Sequence, residues 1–320
     1  MAPPTGLQAV RLAVRRWLAE HAGGGPVTVA CSGGPDSLAL VAAAAREAPG
    51  VTALVVDHGL QPGSADVAAR AAAHALALGC AHARVLPVIV GAAGGPEAAA
   101  RHARYPALRG ASAGAVVLLG HTLDDQAETV LLGLARGSGA RSLAGMPAWD
   151  DPWGRPLLGV RRAETVRACA ELGVAAWSDP HNDDPAHTRV RLRHEVLPLL
   201  EEVLAGGVAA ALARTAAQLR DDDAALEAVA AGVAVDGGPG VAVLAGHPAA
   251  VRRRVLRRWL AGCGAVRLTD PQLRACDDLV DRWRGQGPVR LGGGLEVSRA
   301  GGRLRVTGVV VGAEPPPEPR

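Results

Sequence analysis

Residues 27–40 read VTVACSGGPDSLAL. An apolar, β-branched run stops at Ser32-Gly33-Gly34-Pro35-Asp36-Ser37 and resumes as an apolar stretch of helical character, which predicts strand, tight polar loop and helix in succession. Such a loop has the parts of an anion cradle. Glycines let backbone N–H groups converge and admit a phosphate closely, and the Ser32 and Ser37 hydroxyls add donors at the positive end of a helix. Asp36 is the odd member: a carboxylate beside phosphates repels them unless a divalent cation such as Mg²⁺ lies between. The alternative is an ordinary turn with a helix cap.

Outward from the loop the pattern alternates. Short apolar runs at 27–31, 51–56, 84–90 and 115–119 are separated by alanine-rich helical stretches at 37–47, 65–78 and 97–110, after an amphipathic helix over 5–21. This predicts an α/β fold, a parallel sheet with helices on both faces. Ligands in such sheets bind at the carboxyl ends of the strands. SGGPDS, then Asp57-His58-Gly59, then GHTLDD fall at those ends. Beyond about residue 145 the alternation stops: a loop leads into a helix, 190–230 is mostly helical, helices follow near 247–261 and 269–284, and GPVRLGGGLEVSRAGGRLRVTG reads as a β-ribbon. We expect a larger domain over 1–205, a smaller helical plus β-ribbon domain over 206–310, and a disordered tail over 311–320.

Composition narrows the chemistry. The 320 residues include no Phe and no Lys, so a P-loop ending in Gly-Lys-Ser/Thr and a Schiff-base lysine are excluded. Five scattered cysteines never form a C-x-x-C pair, which excludes a zinc knuckle or thiol relay of that type. No apolar run reaches the ~18 residues of a membrane span, and the arginine-punctuated N-terminus lacks a secretory core, so we expect a cytoplasmic protein. A net charge of +3 does not by itself announce nucleic acid.

A second motif, GHTLDDQAETVLLGLARGSG at 120–139, sets His121 at a strand end and Asp124, Asp125 and Glu128 in the first turns of a helix. Helical spacing brings both aspartates near Glu128, so three carboxylates can converge. Acids there also complement the helix dipole, and Thr122 or Asp124 can cap it. Beside an anion cradle they suit Mg²⁺ or the ammonium of an amine substrate.

S-G-G-x-D-S after an apolar strand resembles the PP-loop of the ATP pyrophosphatases, which split ATP between its α- and β-phosphates to adenylate a substrate. The 120–139 motif is more closely similar to the tRNA(Ile)-lysidine synthases. GPEAAARHARYPAL (95–108), LARGSGARSLAGM (134–146), RPLLGVRR (155–162), DPHNDD (179–184) and TRVRLRHEVLPLL (188–200) follow in that family's order and cover most of 27–200. The resemblance implies adenylation of a cytidine at the first anticodon position of tRNA(Ile), then attack by the ε-amine of free L-lysine with release of AMP. It makes the first domain the ATP-binding catalytic one and the smaller domain tRNA-binding, and leaves a homodimer open.

Carried over by position, Ser32, Gly33, Gly34, Asp36 and Ser37 bind the phosphates of ATP, with Asp36 on Mg²⁺. Asp57 and His58 lie by the adenosine, although Asp-His-Gly also reads as a turn. His121, Asp124, Asp125 and Glu128 form the catalytic and lysine-recognising group, with Asp125 or Glu128 taking the amine proton. Arg101, Arg104 and Tyr105 face tRNA or adenylate, or form a solvated face. Arg189 and Arg193 contact tRNA. Val190 stands where the family usually has Asn, which leaves that residue's role in doubt. Further arginine strips at 11–16 and 251–258 suit a phosphate backbone, yet every basic side chain other than His is Arg in a chain without Lys. Rival readings are a PP-loop tRNA thiolase, which ordinarily needs cysteines, a small-molecule amide ligase, and an RNA-binding module with a relic loop.

Overall fold

The computed structural model describes residues 5–91, 95–137, 139–177 and 184–308. Residues 179–183 of the DPHNDD string and the 311–320 tail lie outside them.

The chain divides into two compact units, one of 1–136 and 143–216, the other of 137–142 and 217–320. The first unit opens with α1 (Gly6–His21), started by a Thr5–Gln8 capping box. Then come β1 (Val27–Ala30), α2 (Pro35–Glu47), β2 (Thr52–Asp57), α3 (Ser64–Ala77), β3 (His82–Pro87), α4 (Pro96–Ala111), β4 (Val116–Leu118) and α5 (Leu123–Arg136). A single turn, α6 (Ala140–Leu143), precedes the two-residue strands β5 (Trp149–Asp150) and β6 (Trp153–Gly154). α7 (Arg162–Glu171), α8 (Thr188–Arg191), a π-helical turn at Leu192–Val196 and α9 (Leu197–Val203) complete it before the long α10 (Val208–Ala231).

The sheet has the order β3-β2-β1-β4-β6-β5, parallel except for the edge strand β5. β1 and α2 are apolar because they are central. Every residue of α2 from Leu38 to Ala44 is fully buried, and its alanines let it approach β1, α1 and α7 closely. The expectation of a loop near residue 150 gives way to a β5–β6 hairpin that extends the sheet on β4, strands too short to show a period.

Strand order reverses between β1 and β4: the chain steps outward through β2 and β3, then returns to β1's other side. That switch point opens a crevice at the carboxyl ends of β1 and β4. Thr28 pairs with Val117 and Val29 with Leu118, so the Ser32 loop and the His121 segment leave the sheet side by side.

The second unit contains α11 (Val241–Ala245), α12 (Ala249–Gly262), α13 (Asp270–Asp281) and an antiparallel sheet of β7 (Val289–Arg290), β8 (Glu296–Ala300) and β9 (Arg303–Thr307). Leu244, Leu256, Leu260, Leu279, Val297 and Leu304 anchor its core.

Candidate active site

The loop after β1 is built to stay open. Gly33 has φ +85°, and a Cβ there would meet the Ala71 Cβ at 3.2 Å. Trp177 N–H donates to the Gly33 carbonyl at 2.9 Å. The Ser37 Oγ gathers the turn: it accepts from Ser32 N–H at 3.2 Å and Ser32 Oγ at 3.3 Å, and donates to the Gly34 carbonyl at 2.9 Å. Gly34 caps α2 without a side chain and Pro35 has no N–H, so no side-chain cap competes for the first-turn amides. Asp36 points its carboxylate at α7, bonded to the Thr165 hydroxyl and 3.1 Å from Arg162. Burial raises its pKa above the ordinary value, against the pull of Arg162 and the Thr165 bond.

Across the switch point, α5 presents its acids to arginines. Asp125 Oδ2 accepts from Thr122 N–H at 2.7 Å and Thr122 Oγ1 at 2.8 Å; Oδ1 takes Arg162 Nη2 at 2.8 Å and Arg193 Nη2 at 3.3 Å. Glu128, fully buried, accepts from Arg193 Nε at 2.7 Å and Nη2 at 3.1 Å. The π-helical turn carries Arg193 into this position, a local irregularity frequent at functional sites. Asp125 and Glu128 therefore converge on one guanidinium. Asp124 is engaged differently: it accepts the Arg162 backbone N–H at 2.7 Å, capping α7, and pairs with Arg161 at 3.1 Å.

These environments separate the two acids. Burial disfavours the Asp125 charge, but Arg162, His121 and the Thr122 donors together outweigh it and hold its pKa below the usual value. At Glu128 burial wins over Arg193, and the pKa is raised. Among the described residues no three His, Cys, Asp or Glu side chains are grouped to hold a metal ion. A cation held chiefly by phosphates and water, with one loop carboxylate, fits the residues present.

A basic group surrounds His121. Arg101 and Arg104 lie 4.5 and 5.3 Å from the centroid of the Tyr105 ring, which packs edge-on against Trp153. Burial lowers the Arg101 pKa and that of Arg155, and Arg104, Arg189 and Arg155 add like-charge repulsion at Arg101. His121 is driven well down, first by burial and then by Arg155, Arg104 and Arg101, with Asp125 opposing. Its ring is neutral near pH 7, and its Nδ1 is buried without a hydrogen-bond partner, as are the Arg104 Nε and the His58 Nδ1. His58 is also lowered, by burial and then Arg104. The unmatched Arg104 donor and the like charges suit an anionic ligand. Asp57 accepts from Gly59 N–H at 3.0 Å, the local turn that its sequence also allowed. Val190 is buried as an apolar residue.

Arg155, Arg161, Arg162 and Thr165 have site contacts that motif reading did not assign. A signal existed: two arginines opening a helix oppose its dipole and call for acidic partners. Two expected arginine strips are instead largely spent within the chain. Arg11 and Arg15 both bond Glu47 at 2.8 Å. Arg252 and Arg253 share Asp277, and Arg254 pairs with Asp223. The thiols are not poised for sulfur transfer: burial pushes Cys80, Cys169 and Cys276 up to about 11 and raises Cys31 and Cys263 as well.

A glycine-shaped anion loop and a carboxylate cluster flanking the switch point of a parallel sheet define an ATP-using enzyme of the PP-loop class. The PP-loop domain family matches residues 10–200, and the TilS substrate binding domain family matches 241–305. The tRNA(Ile)-lysidine synthase of Rhodococcus jostii is 63% identical over 306 residues, 93% of this chain and 94% of the relative. That of Mycobacterium tuberculosis is 61% identical over 280 residues, 85% of this chain and 86% of the relative. The chain belongs to the tRNA(Ile)-lysidine synthase family. A solved U34-tRNA thiolase from Methanococcus maripaludis shares the fold, with a TM-score of 0.55, 19% identity, and coverage of 67% of this chain and 79% of that one.

Proposed function

We propose that this chain is a ligase that joins free L-lysine to C2 of cytidine 34 in the CAU anticodon of tRNA(Ile), consuming ATP and releasing pyrophosphate and AMP. The product, lysidine, changes codon reading from AUG to AUA. The observation that carries this reading is the pairing, across one switch point, of an open phosphate loop with the buried Asp125 and Glu128 pair, in a chain of this family.

In the first half-reaction the cytidine O2 attacks the α-phosphate and pyrophosphate leaves. The residues of the Ser32–Ser37 loop receive the phosphates, and Asp36 would hold Mg²⁺, which would supply charge neutralisation on the departing group. His121, neutral, offers a hydrogen bond without adding a cation. In the second, the lysine ε-amine bonds to C2 as the C2–O bond to AMP breaks. Glu128 takes the amine proton because its raised pKa makes it the stronger base, whereas the four hydrogen bonds at Asp125 keep it ionised. Arg101, Arg104 and Arg189 face the adenylate or the anticodon phosphates, and recognition rests on RNA shape and a splayed base. The domain roles follow, 1–205 catalytic and 206–310 tRNA-binding.

No single helix among the described residues is long and apolar enough to cross a membrane, and we place the activity in the cytoplasm. The test is incorporation of radiolabelled lysine, with ATP and Mg²⁺, into unmodified isoleucine tRNA bearing CAU, against methionine tRNA. Label in the first alone, with AMP released, is expected. AMP release that depends on tRNA but brings no label would sink the choice of nucleophile.

A further inference from the structure

One residue to which the motifs gave no role touches the acids of both the loop and α5. Arg162, the first residue of α7, sets Nη2 2.8 Å from Asp125 Oδ1 and 3.1 Å from Asp36 Oδ2. Its backbone N–H donates to Asp124 at 2.7 Å, and its carbonyl accepts from Thr165 Oγ1 at 2.7 Å, the hydroxyl that also bonds Asp36. Its Nε is buried and has no hydrogen-bond partner. The side chain is thus a cation seated between the loop carboxylate and the amine-site carboxylate, with its buried Nε unspent.

The geometry points to Arg162 as a positioning residue that makes lysine binding depend on nucleotide binding. This rests on the function proposed above. With the loop empty of phosphate, the guanidinium neutralises Asp125 and repels an ammonium approaching the same oxygen. A phosphate in the loop is a stronger partner for a forked guanidinium than a carboxylate already shared with Arg193, and the unspent Nε supplies the first hydrogen bond to it. As Arg162 turns to the phosphate, Asp125 keeps its two Thr122 donors and the longer Arg193 contact at 3.3 Å, loses its nearer cation, and attracts the amine more strongly. Lysine is then admitted after ATP, and free enzyme does not fill with it.

Coupling of this kind is reciprocal: nucleotide must tighten lysine by the same factor by which lysine tightens nucleotide. The experiment is equilibrium dialysis of labelled lysine on the full chain, with and without a non-hydrolysable α,β-methylene ATP analogue, and the converse titration. Wild type is expected to bind lysine about tenfold more tightly with the analogue, within the usual range of such couplings. Arg162→Gln is expected to bind lysine at nearly the same strength in both states. Arg162→Lys, which keeps the charge but loses the fork, is expected to recover part of the coupling and serves if the glutamine variant melts early. Wild-type coupling retained in both variants overturns the inference, as does wild type binding lysine equally well with and without analogue. No lysine binding by wild type in any state would instead overturn the proposed substrate, and this inference with it.

Discussion

Gly120, at the end of β4, offers a test of how tightly the sheet positions the loop. A Cβ built there lies 3.2 Å from the Asp36 carbonyl carbon, 3.2 Å from its oxygen and 3.2 Å from the Ser37 nitrogen. All three are backbone atoms at the start of α2, so no side chain can rotate away. Ordinary contact begins at 3.4 Å, and Gly120→Ala must push the two segments apart by a few tenths of an ångström. Overpacking of this kind costs about 1–3 kcal/mol, and the low end applies to so small a shift. For a unit of this size ~1 kcal/mol lowers Tm by roughly 2–4 °C. Misplacement of reacting groups by about 1 Å costs ~100-fold, so about a third of an ångström costs about fivefold in rate. The assay is tRNA-dependent AMP release alongside a melting curve. Gly110→Ala is the control: it lies in α4 with nothing within 4 Å of the new methyl, and is expected to stabilise by about 0.5–1 kcal/mol at unchanged rate. Gly120→Ala with wild-type AMP release and wild-type Tm would refute the reasoning, because the contact would then relax without moving Asp36 or Ser37.

Glu128→Gln is expected to leave pyrophosphate release nearly intact and to slow lysine transfer by about 10²–10⁴-fold, the usual worth of a positioned base; equal losses in both steps would assign Glu128 elsewhere. Asp36 and Glu128, both raised, bind their protons more tightly folded than unfolded, so each adds stability below its ordinary value of 3.8 or 4.5 and loses it as pH rises through its folded pKa. Glu128 must be ionised to act, so lysine transfer is expected to fade on acidification at a pH above 4.5 while circular dichroism stays native; coincident loss of both would contradict this. Asp277→Ala takes one carboxylate from Arg252, 7% exposed and 2.7 Å away, but leaves it Asp281 at 2.9 Å, and is expected to cost about 1.5–3 kcal/mol in denaturant titration.

The loop and the carboxylate motif were legible because their chemistry lies in contiguous strings at strand ends. Arg162 and Thr165 were not, because they matter only once α7 lies against α2, 129 residues from Asp36 in the case of Thr165. Periodicity is local and does not report such a pairing. For the same reason the arginine strips looked free: the acid that holds Arg11 is 36 residues distant and the one that holds Arg252 is 25. Spacing brought Asp125 and Glu128 together but could not rank them as bases, since burial and the Thr122, Arg162 and Arg193 donors separate their affinities for a proton.

The wall of Arg101, Arg104, Arg155 and Arg189 has a chemical consequence beyond charge. An adenylated cytidine is an electrophile, and an amine anywhere along its surroundings would bond to C2, expelling AMP, in place of the intended one. A buried lysine loses its proton readily and becomes such an amine; a guanidinium does not. A wall of arginine thus gives a reactive intermediate no amine of the protein's own to attack it. Replacing Arg101 with Lys should turn the enzyme into a trap that stays covalently attached to its own tRNA, seen as a shifted band on a denaturing gel, and its absence under turnover would count against an electrophile forming there.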